Sequence, residues 1–106
     1  MEAHEHAIAH FDGMAKLSSA LQQLPAQVLD HRYSNESFGS WSLVLRYKRT
    51  VIRLDFDGRE NQLEIRRTRD RKPPYNYESA SLLDEGGHFG TLDAEAVKAI
   101  CRFVAS

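Results

Sequence analysis

Cysteine is almost missing from this chain: Cys101 is the only one, so no internal disulfide can form and a disulfide-stapled scaffold is excluded. Long apolar runs are missing too, since none approaches the roughly 18 residues that a membrane span needs. Neither sign of charge dominates. Fourteen Lys/Arg against fifteen Asp/Glu leave a net charge of -1, without the overall positive field of a simple nucleic-acid backbone binder. There is no basic stretch followed by an apolar one at the N-terminus, which predicts no signal peptide. Nucleophile-elbow, P-loop and dinucleotide-fingerprint patterns are absent, as are internal repeats, heptads and low-complexity tracts. These absences predict a soluble, cytoplasmic protein with no membrane contact, no cofactor, and no catalytic or metal-binding residues.

What is present is an alternating block from Trp41 to Arg67. Trp41, Leu43, Leu45 and Tyr47 alternate with polar neighbours; Ile52, Leu54 and Phe56 do the same, and so do Leu63 and Ile65. A period of two marks strands that share one buried face. With 106 residues the chain suits one domain, 1–106, able to bury a core without metal or disulfide. Ile8, Phe11, Met14, Leu17, Leu21 and Leu24 recur at three- and four-residue spacing, predicting a helix over 2–24 that Pro25 ends. The antiparallel sheet is predicted over 31–69, with its first strand from His31 to Phe38. Tyr33 falls opposite Leu45 if the first hairpin has a three-residue loop, a register preferred to one that buries Glu36. An Arg49-Thr50 loop would set Leu45 against Leu54, Leu43 against Phe56 and Arg46 against Arg53. Arg-Thr suits a two-residue turn poorly, which favours a longer loop. Phe56 opposite Leu63 leaves a loop over 58–61.

Residues 70–90 lack a clear period and predict a long loop, in which Ser79 to Leu83 has room for a short strand. Thr91 reads as an N-cap before a helix over 92–105 with Val97, Ile100, Cys101 and Val104 on its apolar face. The expected fold is a two-layer α+β domain of order αββββα. Its four-stranded antiparallel meander carries the N-terminal and C-terminal helices on one face.

Chemistry-bearing clusters are few. His4, His6 and His10 include a four-residue spacing that can chelate a metal, but solvated histidines on a terminal turn are the plainer reading. His88, beside Asp84 and Glu85 in a glycine-rich segment, has no companion nucleophile, and a flexible connection is the plainer reading. Residues 46–72 carry ten Lys/Arg and five Asp/Glu. The segment 66–72 is a basic run, followed by Tyr75 and Tyr77. The outer sheet face should present Arg46, Lys48, Arg53, Asp55, Glu64 and Arg66. Arg46 opposite Arg53 would be an unfavourable pair unless a carboxylate from Glu64 or Asp55 bridges it.

The leading functional expectation is a small non-catalytic protein-binding domain of adaptor, inhibitor or immunity type. Arg46, Arg53, Arg66, Arg69, Tyr75 and Tyr77 would meet a protein with an acidic patch. The alternative is nucleic-acid binding through segment 66–72. Pairing of an edge strand could give a homodimer.

Overall fold

The computed structural model describes residues 3–34, 36, 39–83, 89 and 92–105, with backbone alone for 3–6 and 79–83. Helix α1 spans Ala3–Gln23. It stops where Pro25 disfavours a helical predecessor, and the Leu24 and Ala26 N–H groups both donate to the Leu21 carbonyl, at 3.1 and 2.8 Å. Strands β1 (Gln27–Ser34), β2 (Ser40–Tyr47), β3 (Thr50–Asp57), β4 (Gln62–Thr68) and β5 (Glu78–Leu83) follow, and helix α2 spans Ala94–Ala105. Neighbouring strands are antiparallel and lie in chain order.

The helix–meander–helix α+β architecture expected from the sequence is therefore observed. A fifth strand, inside the stretch expected to be a loop, extends the four-stranded meander. Met14, Leu17 and Leu21 of α1 and Ala96, Ile100 and Val104 of α2 share one core with Trp41, Leu43, Leu45, Ile52, Leu54, Phe56, Leu63 and Ile65. Both helices thus cover the inner face of the sheet. Phe89 and Leu92 enter the same core.

Three local expectations need correction. Strand β1 begins at Gln27 rather than His31, and Tyr33 pairs with Trp41 rather than Leu45. Tyr33 does keep the inner face, because the displacement is by an even number of residues. The β2–β3 turn is Lys48-Arg49, which moves that register by two: Leu43 faces Leu54, Leu45 faces Ile52, and Trp41 faces Phe56. At α2 the cap is Asp93, whose Oδ1 accepts from Ala96 N–H at 3.0 Å. Leu92, at φ 50°, stands outside helical geometry; Thr91 lies outside the described residues. The β3–β4 register is as expected, with Phe56 opposite Leu63 and Leu54 opposite Ile65.

The N-terminal half of α1 is rotated relative to its apolar stripe. Ile8 and Phe11 are exposed at 65% and 53%, while His10 is fully buried. Its ring stacks on Tyr33 at 4.4 Å between centroids, and its Nε2 lies 2.9 Å from His31 Nε2. The two imidazoles are within 14° of parallel with centroids 5.1 Å apart. Their nitrogens meet in an N–H···N hydrogen bond in which one neutral ring donates and the other accepts. His10 Nδ1 meets no hydrogen-bond partner among the described residues. Burial, reinforced by the neighbouring His31, pushes the His10 pKa down from 6.5 to about 4. Burial also lowers that of His31, against the opposing pull of Asp30.

An unfolded chain takes up protons on these rings at a higher pH than the folded one, so their stabilisation is complete above pH 6.5 and is lost as pH falls toward 4. The expected loss from His10 is about 3 kcal/mol. Urea unfolding at stepped pH measures it, and His10→Gln should flatten the profile between those limits. An unchanged profile in that variant would show that another group carries the dependence.

Candidate functional site

Because side chains alternate across a sheet, the pairings of the inner face fix the outer one. Val44, Arg53 and Arg66 form one row across β2, β3 and β4; Ser42, Asp55 and Glu64 form the next; Arg46, Val51 and Thr68 form the third. Arg46 therefore faces Val51, not Arg53. The like-charged pair is Arg53 with Arg66, and Asp55 bridges it: its Oδ2 accepts from Arg53 Nε at 2.9 Å and from Arg66 Nη2 at 2.7 Å. Burial alone would raise the Asp55 carboxyl, but these two hydrogen bonds outweigh it and hold its pKa below the ordinary value. Glu64 adds a looser contact to Arg66 at 3.6 Å.

Val51 and Thr68 are buried at 1% and 7% although they belong to the outer face. Here Tyr75 and Tyr77 return toward the sheet. Arg46 Nη2 donates to the Tyr75 hydroxyl at 3.4 Å. The rings of Tyr75 and Tyr77 lie 5.9 Å apart, and the Arg66 guanidinium lies 5.8 Å from the Tyr77 centroid. Burial raises the Tyr77 pKa. Five of the six expected site residues thus form one chain of contacts: Arg46, Tyr75, Tyr77, Arg66 and, through Asp55, Arg53. Arg69 joins through a shared cavity with Arg46. Arg67 takes the opposite face, its guanidinium 4.3 Å from the Phe103 centroid of α2.

That cavity, of about 420 Å³, lies where the β2–β3 turn meets the segment after β4 and is lined by Arg46, Lys48, Arg49, Arg69, Asp70 and Arg71. Lys48 has left the outer face for the turn. It takes φ 56°, a left-handed conformation that disfavours a non-glycine residue by roughly 1 kcal/mol, and its ammonium lies 5.2 Å from the Tyr47 centroid. Asp70 is held by the backbone: its Oδ2 accepts from Asn76 N–H at 2.7 Å, and its own N–H donates to Thr68 Oγ1 at 3.1 Å. A second cavity, of about 450 Å³, shares Arg69 and Asp70 and adds Thr50, Arg67, Thr68, Asn76 and Glu78.

The sequence reading missed the meeting of Lys48 and Arg49 with Arg69 and Arg71, which lie about twenty residues further along the chain. Only the antiparallel pairing of β3 with β4 brings them together. Among the described residues no group of three metal-ligating side chains occurs; the side chains of His4 and His6, and all of His88, lie outside them. No helix among the described residues is long and apolar enough to cross a membrane. No protein-family model matches the chain, no curated protein matches its sequence, and no solved structure matches its fold.

Removing the Asp55 carboxylate leaves Arg53 and Arg66 opposed across the strands. Asp55→Ala should destabilise by about 1 kcal/mol, given that all three groups are partly solvated. Adding Arg53→Met should return part of that loss. A thermal-unfolding double-mutant cycle reads the coupling directly, and additive effects of the two changes would show that the bridge carries no stability.

Proposed function

We propose that the protein is a small non-catalytic binding domain that recognises an acidic surface of another protein through its outer sheet face. The observation that carries this reading is the unbroken contact chain from Arg46 through Tyr75, Tyr77 and Arg66 to Asp55 and Arg53. Arginine and tyrosine are the residue types that concentrate binding energy at protein interfaces. Held by one another before any partner arrives, they lose less conformational freedom on association. Tyrosine adds apolar area with a hydrogen-bonding tip, and arginine offers paired donors to a carboxylate.

A second reading, single-stranded nucleic-acid binding through segment 66–72, has one observation in its favour. The cation-lined cavity lies next to two tyrosine rings, and bases stack on such rings while phosphates meet the cations. The near-zero net charge weighs against it.

Affinity capture with the full chain as bait, compared with Arg46→Ala/Tyr75→Ala, tests the first reading. A protein held through an acidic surface should bind the variant at least about tenfold more weakly and should be released by added salt, while the melting temperature of the variant stays close to that of the wild type. Equal binding of that protein by both forms would remove this surface as the interface.

A further inference from the structure

We propose that the cavity between the β2–β3 turn and residues 69–71 is a receptor for a phosphate monoester dianion, carried by a phosphorylated side chain of the protein partner. This rests on the protein-binding reading above and names the group that anchors the partner. Five cations, Arg46, Lys48, Arg49, Arg69 and Arg71, surround the cavity with one carboxylate, Asp70. Among the described residues none of the five cations makes an ion pair. Among the same residues, the Arg46 side chain meets the Tyr75 hydroxyl and that of Lys48 the Tyr47 ring. The outer face nearby shows what compensation looks like in this fold: Arg53 and Arg66 share Asp55. In the cavity the single carboxylate already accepts from Asn76 N–H, and the positive charge is left for a ligand.

The arrangement favours phosphate over carboxylate. The cations come from a strand (Arg46), a turn (Lys48, Arg49) and the segment following β4 (Arg69, Arg71). A planar monoanion meets one such direction well, whereas a tetrahedral dianion presents three strong acceptor oxygens to several. All five cations line the same cavity, a cluster that suits a single phosphoryl group better than a run of phosphodiesters. The volume, about 420 Å³, falls in the range of small-ligand sites.

A two-dimensional ¹H–¹⁵N NMR titration of the full chain with phenyl phosphate tests the proposal, run beside benzoate at matched ionic strength and a short oligothymidylate. Phenyl phosphate should give saturable shifts confined to residues 46–50 and 69–72, with benzoate at least about tenfold weaker. Arg49→Glu/Arg71→Glu, which changes two exposed side chains, should weaken phenyl phosphate about tenfold or more while leaving shifts elsewhere in place. Equal response to benzoate, or no localised response to phenyl phosphate, would overturn the assignment. So would tighter binding of the oligothymidylate with shifts reaching Tyr75 and Tyr77, which would transfer the cavity to nucleic acid. The probe needs no partner. Its failure beside a partner that still depends on Arg46 and Tyr75 removes the phosphate and leaves the protein-binding surface standing.

Discussion

Leu54 lies opposite Leu43 on one side and Ile65 on the other, and this row through the middle of the sheet determines what both faces can do. All three side chains are buried to within 1%, and sliding either neighbour by one residue would exchange that apolar row for Arg53 or Asp55. With the row fixed, the far side follows without further choice. Arg53 meets Arg66, Asp55 comes within reach of both, and Arg46 is left beside Val51 at the end of the sheet. There it turns to Tyr75 and to the basic cavity. The packing of the inner face thereby sorts the arginines of the outer face into a compensated pair and an uncompensated cluster.

The alternation that made the fold legible was blind to the step that built the site. A strand shifted by two residues keeps every apolar side chain inside, so the two-residue difference between β2 and β3 left the sequence pattern unchanged. It changed what lies opposite Arg53 on β2, putting Val44 there in place of Arg46. The β3–β4 hairpin escaped this ambiguity because Asp57 stops the strand with its side chain, accepting from Arg59 and Glu60 N–H groups, and Asn61 takes φ 56°, a conformation asparagine tolerates. The β2–β3 turn has no comparable marker, since Lys48 adopts its left-handed conformation against propensity.

Other misses have equally local causes. His10 took the buried position and left Phe11 half-exposed at the edge of the same contact, because β1 offers His31 and Tyr33 there, a polar and aromatic surface that a hydrophobic stripe does not anticipate. Strand β5 runs through Ser79, Ala80 and Ser81, where no alternation exists to announce it. The return of Tyr75 and Tyr77 toward Arg46 and Arg66 depends on a segment without any period, so their joining of the outer face was visible only as residues near in sequence to a basic run. The side chains of the proposed site converge from places where the periodic signal ends.

The position of Arg46 depends on the two-residue turn at Lys48-Arg49, because that turn sets Arg46 opposite Val51 and leaves Val44, not Arg46, opposite Arg53. Interstrand backbone NOEs across β2, β3 and β4 in solution test it directly. Contacts linking Arg46 with Val51, Val44 with Arg53 and Arg53 with Arg66 are the predicted result. Contacts linking Arg46 with Arg53 and Tyr47 with Ile52 would restore the alternative register, put the two arginines face to face, and dissolve the cavity on which the proposed binding site is built.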